Sequence, residues 1–356
     1  MSARGALADE LHLDASAPTK TFVLEVHTDD PDAYLEELFG RGAVHSTDDG
    51  YLHRALIDEG EMWVDRLDSR FWSFHTDLPA YPARRFLHER VQRRRDLDWL
   101  WLPTQHLRRV SRNGPARRLR TDFAGQSLRG VDAPGTGLKL QATGKQAEKL
   151  LDFLSQSDEY KAALSLDAIQ VSVDDGAGGV MNEAVHRQGQ FAASGDSLDT
   201  HLQFVRSVVA TYASFIELLE AKALGWDPLT AGDDNEGASL IGAPVGIHFS
   251  QHIADLSLFV EELFDSKEPF RLWGVPRVED DVVEVDAVDL HVGQRLRMDV
   301  GHDWMRVYLE RGSCGNTVAR LVSNLQHRFD SGLELSDPAL NAALMAGAAV
   351  AGSLVA

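Results

Sequence analysis

Residues 21–39 read TFVLEVHTDDPDAYLEELF, and residues 245–264 read VGIHFSQHIADLSLFVEELF. In both, a short apolar run suited to a strand gives way to Asp and then to apolar residues at helical spacing. In the first copy Asp30 is placed to cap a helix with Pro31 at its first position. Tyr34, Leu35, Leu38 and Phe39 then share one face, and Gly40 ends it. In the second copy Leu258, Phe259, Val260, Leu263 and Phe264 follow Asp255 in the same way, so that FVEELF echoes YLEELF.

Working outward, each copy opens a longer pattern. Residues 51–57 and 61–76 read as strands around the hairpin signal Asp58-Glu59-Gly60. A helix carrying Phe86, Leu87 and Val91 follows Pro79 and Pro82, and a short strand at 99–102 closes the unit. After the second copy, 282–292 and 295–309 form a hairpin, and 316–329 is a helix with Val318, Leu321, Val322, Leu325 and Phe329 inward. A stretch between them uses the same order: strand 138–143, a helix with Ala147, Leu150, Leu151 and Leu154, strands 168–173 and 180–193, and a long helix. That last helix carries Leu202, Val205, Val209, Tyr212, Ile216 and Leu219 on one stripe. Strand–helix–strand–strand–helix, closed by a sixth strand, is the ferredoxin-like split βαβ order. The expected fold is therefore α+β: three related units at 19–110, 138–225 and 245–335, with antiparallel sheets and helices on one face. Residues 111–137, rich in Arg and Gly, and 226–244, acidic and Gly-rich, are expected as linkers, with an Ala/Gly-rich tail at 336–356.

With 356 residues, 44% hydrophobic and 25% charged, the chain has ordinary globular composition and room for a large core. Its one cysteine, Cys314, excludes an intrachain disulfide framework and any multi-cysteine metal site. The first residues show no apolar segment of secretory type, and no interior apolar run has transmembrane length. A cytoplasmic protein is expected, with membrane contact disfavoured; the tail is expected to pack or fray, because Ala and Gly contribute little burial energy.

Thirty-five Asp and twenty Glu face 28 Arg and only 7 Lys, a net charge of −20. That balance fits a GC-rich genome and equally a cytoplasm of molar salt, where a dense carboxylate surface is screened. Against it stands one anomaly. Residues 84–120 hold twelve Arg and three acids, a local +9 that leaves −29 for the rest of the chain. Arg84, Arg85, Arg93, Arg94, Arg95, Arg108, Arg109, Arg117, Arg118 and Arg120 offer guanidinium forks for phosphate or carboxylate. Trp99 and Trp101 would add stacking faces if they alternate onto one side of an exposed strand. An equal reading is internal neutralisation, the basic strip docking on the protein's own acids or on a second copy.

Catalytic signals are sparse. Cys314 lies in Gly312-Ser313-Cys314-Gly315-Asn316-Thr317 just before a helix, where the dipole would favour a thiolate. His291 and His302 lie upstream in neighbouring strands and could meet it. Ser313 and Asn316, however, read as capping residues, which makes Cys314 a small buried hydrophobe. His248 and His252 stand four apart in a segment read as strand, which separates them, and HExxH is absent. His27 with Asp29, Asp30 and Asp32 matches no cation loop and reads as a solvated helix start. Gly176–Gly179 and the glycines of 232–246 follow neither GxGxxG nor the Walker pattern. No cofactor and no metal site is expected. The sequence points to a non-catalytic binding or scaffold protein that engages an anionic partner, nucleic acid first and an acidic protein second. The alternatives are an enzyme using Cys314 and a homo-oligomer clamped by the Arg strip.

Overall fold

The computed structural model describes residues 7, 11, 18–66, 68–125, 137–144, 146–174, 176, 178–195, 197–223, 243–265 and 268–346. The first stretch contains β1 (Thr19–Val26), α1 (Pro31–Phe39), β2 (Val44–Ser46), β3 (Leu52–Ile57), β4 (Gly60–Asp65), β5 (Phe71–Thr76), α2 (Ala80–Arg93), β6 (Leu97–Trp99) and α3 (Thr104–Val110). The middle contains β7 (Ala116–Phe123), β8 (Leu138–Thr143), α4 (Ala147–Ser155), α5 (Asp158–Lys161), β9 (Leu166–Asp174), β10 (Val180–His186), β11 (Gln190–Ser194) and α6 (Leu198–Lys222). The last contains β12 (Val245–His248), α7 (Leu256–Leu263), β13 (Leu272–Glu279), β14 (Val282–Asp289), β15 (Arg295–Val300), β16 (Trp304–Leu309), α8 (Gly315–Arg328), β17 (Glu334–Leu335) and α9 (Pro338–Ala346).

The class is α+β, with two sheets. One runs β2-β3-β4-β5-β1-β11-β10-β9-β7-β8, with β6 also on β1; the other runs β13-β14-β15-β16-β12-β17. The two echoed segments hold equivalent places. Each opens with a strand, passes through a helix capped by an Asp side chain (Asp30 to Ala33 N–H, Asp255 to Leu258 N–H), then a four-strand meander, a helix and a closing strand. In each, the opening strand lies between the last meander strand and the closing one, as β5-β1-β6 and β16-β12-β17. The first and last stretches are thus one topology used twice.

That topology is not the four-stranded ferredoxin-like sheet expected. Every ladder between the named strands is antiparallel, including β1–β5 and β12–β16, so β2 runs parallel to β1 across three intervening strands and β6 parallel to β5 across β1. Each half instead has two strands more than expected. In the first, β2 is one, and residues 61–76, read as one strand, break at 66–70 into β4 and β5. Residues 295–309 divide in the same way into β15 and β16. The middle stretch is not a third copy. Its β7 sits between β9 and β8, and residues 180–193 turn back at Gly189 (φ +66) to make β10 and β11. The expected linker at 111–137 contains β7, an eight-residue strand within the large sheet. The linker at 226–244 lies almost wholly outside the described residues, as do residues 347–356 of the tail.

β1 joins the first two stretches. One edge pairs with β5; the other is shared, Thr19–Phe22 with β11 and Leu24–Val26 with β6. Two helices hold the centre. α6 spans 25 residues and, among the described helices, is the one long and apolar enough to cross a membrane by length and composition. It buries Phe204, Val205, Val208, Tyr212, Phe215, Ile216 and Leu219 against α8 and its surroundings. α8 is enclosed on its polar side too: Asn316, Thr317, Arg320, Ser323, Asn324 and Gln326 are all 3% exposed or less. Such groups need partners when buried. Gln326 accepts from Thr104 N–H, Asn324 accepts from Arg187, and Ser323 donates to Leu102 O. α9 packs by Leu340 and Leu344, and Ala343 O lies 3.1 Å from His106 Nε2.

Candidate functional site

The equivalent halves meet where β1 ends and α8 begins. β1 is buried along its whole length, yet it carries Glu25, fully enclosed, and leads directly into His27. From the other half come His291, in the turn after β14, and Cys314, the residue preceding α8. Glu25, His27, His291 and Cys314 each offer one ligand atom, and these four atoms lie within 4.8 Å of one another. His291 Nε2 is 3.1 Å from Glu25 Oε2, and His27 Nε2 is 3.4 Å from Glu25 Oε1. Cys314 Sγ is 3.3 and 3.4 Å from the two Glu25 oxygens and 3.6 Å from His27 Nε2.

Each group is fixed from behind. Asp289 accepts the His291 N–H (3.0 Å), and Gly293 (φ +74) closes that turn on Asp289 O. Asp289 is itself bound by Thr317 and Arg320, and Arg320 reaches across to Asp98 and to Phe270 O (2.8 Å). Both acids and Arg320 are buried. Burial alone would raise the Asp98 carboxyl, but Arg320, His291 and Arg271 hold it below its ordinary range. At the start of α8, Gln294 accepts from Cys314 N–H (3.0 Å) and donates to Gly312 O (2.7 Å), while Glu220 of α6 accepts the Gly315 N–H (2.8 Å). Arg70 donates to Glu25 (2.6 Å), to Glu220 (2.7 Å) and toward Cys314 Sγ (3.4 Å).

In front of the cluster lies a cavity of about 800 Å³, lined among others by His27, Asp29, Arg70, Glu220, Arg311 and Cys314. His27, 35% exposed at its side chain, is the member of the cluster that meets solvent. Burial would raise Glu25, yet hydrogen bonds from His27 and His291 and the charges of His291 and Arg70 keep it well below the usual carboxylate range. The Cys314 thiol is pushed far up, by burial first and by the Glu25 charge second, with Arg70 opposing. Without an added positive charge, then, the thiol is no activated nucleophile. A divalent cation between the four donors would reverse that, because it stabilises the thiolate directly.

The sequence pairing of Cys314 with His291 is found, but His302 is elsewhere: its Nδ1 lies 2.6 Å from Ile253 O and its ring stacks on His252 at 4.7 Å. His248 is exposed at the end of β12. The expected caps are not there. Ser313 Oγ has no partner, Asn316 turns inward to Asp98, Trp99 O and Tyr212, and no side chain caps α8. Glu25 was not singled out in the sequence, and His27 only with Asp29, Asp30 and Asp32; both lie more than 260 residues from His291 and Cys314. The legible signal was a lone carboxylate inside the apolar run Phe22–Val26.

The Arg strip is not one surface. Arg93, Arg94 and Arg95 line one depression, Arg108 and Arg109 a second, and Arg118 and Arg120 a third on the large sheet. Several are neutralised within the chain: Arg85 by Glu59, Arg94 by Asp96 and Glu37, Arg108 by Asp152 and Arg120 by Asp167. Arg84 bonds Gln188, and Arg117 donates to Ser172 Oγ (2.8 Å). Trp99 and Trp101, expected as exposed stacking faces, are 2% and 1% exposed. β6 is too short to alternate them outward; Trp99 enters the core beneath α2, and Trp101 Nε1 bonds Asp98.

The chain belongs to the MJECL33-like protein family, whose sequence profile matches residues 9–342. It is 27% identical over 356 aligned residues to the uncharacterized protein MJECL33 of Methanocaldococcus jannaschii, covering 88% of this chain and 84% of the relative. No solved structure matches it.

Proposed function

We propose that this member of the family is a metal protein, holding one zinc-class divalent ion between Glu25, His27, His291 and Cys314 and presenting it to a small molecule in the adjoining cavity. The observation that carries this is the spacing of the donors. An ion bonded to N, O and S at ~2.0–2.3 Å has donor–donor edges of about 3.3–3.8 Å in a tetrahedron. The separations between Glu25, His27, His291 and Cys314 run from 3.1 to 3.6 Å where they are direct contacts. Mixed imidazole, thiolate and carboxylate donors suit zinc and its neighbours rather than calcium or magnesium. Glu25 held by Arg70, and the His291 turn held by Asp289, supply the outer support such ligands require.

The two carboxylate and thiolate charges balance the ion, so that no net charge is left buried. His27 forms the cavity side of the set, and an ion held there would act as a Lewis acid toward a ligand oxygen in the cavity. The test is metal content. Protein purified without chelator, or reconstituted with zinc and desalted, should carry one ion per chain by elemental analysis. His291→Ala and Cys314→Ala should each lose it while remaining folded by circular dichroism. Stoichiometric retention in both variants would refute the site.

A further inference from the structure

Across the His291 turn from the metal cluster lies a second depression, of about 550 Å³, with a different chemistry. Its lining includes Arg93, Arg94, Arg95, Arg271, Glu268 and Leu290. Leu290 and Val292 face opposite cavities with His291 between them, so one turn walls both. Arg271 is held rigidly. Its backbone is left-handed (φ 54), a strained conformation for a residue with a side chain, and its guanidinium donates to Arg94 O (2.8 Å) and Leu97 O (3.2 Å). Arg94 is committed to Asp96 and Glu37. Arg93 and Arg95 are exposed and, among the described residues, make no hydrogen bond or ion pair; the Arg95 side chain instead lies beside Gly293. The groove's carboxyl, Glu268, lies 3.8 Å from His88 and is raised by burial against the lowering charges of His88 and Arg271.

We propose that this groove binds a small phosphate-bearing anion, with Arg93 and Arg95 as its free forks beside Arg94 and Arg271, which are already paired with Asp96, Glu37 and Asp98. Two planar guanidinium groups in a basic, half-enclosed depression match phosphate oxygens in charge and geometry. The volume is that of a mononucleotide-sized ligand. A nucleic-acid strand is disfavoured by the same structure. The tryptophans that would stack bases are buried, the remaining arginines lie in other depressions, and a net charge of −20 repels a polyanion at range. A small anion needs only the local field. The proposal is independent of the metal reading.

The experiment is a calorimetric titration of the full, metal-free chain with inorganic pyrophosphate. One site per chain is expected. Arg93→Ala combined with Arg95→Ala should weaken binding roughly tenfold or more, as loss of charged hydrogen bonds implies. Both side chains are exposed and unpaired, so that variant keeps its fold. His27→Ala, on the far side of the turn, should leave the affinity unchanged, which separates this site from the metal centre. No binding by the wild type, or equal binding by the double variant, would overturn the proposal. A single-stranded RNA oligonucleotide binding more tightly than pyrophosphate, with the same arginine dependence, would overturn the small-anion assignment.

Discussion

Arg320→Met should be close to the most damaging single change in this chain. Arg320 is fully buried and bridges two buried carboxylates, Asp98 and Asp289, while donating to Phe270 O at 2.8 Å. Removing it leaves both acids without their main counter-charge. Breaking a buried ion pair costs about 3–5 kcal/mol, and an abandoned buried acceptor about 1–3 kcal/mol more. The total is comparable with a typical protein's whole stability of about 5–15 kcal/mol. Urea denaturation and soluble yield measure it. Arg320→Lys keeps the charge but not the fork, and should fall between wild type and Met. The sharper check is the triple variant Arg320→Met, Asp98→Asn, Asp289→Asn. It removes the orphaned charges, and should regain at least half the lost stability if charge burial is the cause. An Arg320→Met protein within about 1 kcal/mol of wild type would refute the reasoning.

Gly315→Ala should destabilise by about 1–3 kcal/mol in chemical denaturation, because the added Cβ would lie 2.8 Å from Ile216 O and force α8 away from α6. Acid should destabilise the protein well before its carboxylates titrate. Burial pushes His75 down to about 3 and His106 to about 4, whereas the unfolded chain takes up those protons near 6.5. Their stability contribution is therefore full above pH ~6.5 and falls by about 1.4 kcal/mol per pH unit per histidine on acidification toward those values. Unfolding free energies unchanged between pH 7 and 5 would contradict this. Finally, the melting temperature should rise between low and molar KCl, because a net charge of −20 is self-repelling; no rise would show that the acids are compensated locally.

Local signals were legible where one element decides them. Asp30 and Asp255 both cap the helices read from YLEELF and FVEELF, and the helical apolar stripes at Leu202–Leu219 and Val318–Phe329 face the core. What failed depended on counting strands. A break at residues 66–70 changes no apolar pattern yet turns one strand into two and lengthens the meander. β7 was hidden because exposed Arg117, Arg118 and Arg120 interrupt the buried Ala116, Leu119 and Thr121, so a basic strand inside the sheet read as a linker. In the site, Cys314 and His291 were visible as chemistry. Glu25 was not, and His27 was weighed only with Asp29, Asp30 and Asp32, since only the docking of β1 against α8 brings both to Cys314. Trp99 and Trp101 show the converse error: aromatics near arginines suggest a binding face, but both rings are buried, with β6 paired to β1.

Cobalt(II) titration asks whether four side chains from the two equivalent halves hold one metal ion. Cobalt bound by Glu25, His27, His291 and Cys314 should give the intense visible bands of a tetrahedral ion, together with a near-ultraviolet thiolate-to-cobalt charge-transfer band, saturating at one equivalent. Cys314→Ser should abolish the charge-transfer band, and zinc should displace both signals from the wild type. Absence of tetrahedral cobalt bands in folded wild-type protein, or a charge-transfer band that persists in Cys314→Ser, would contradict the account.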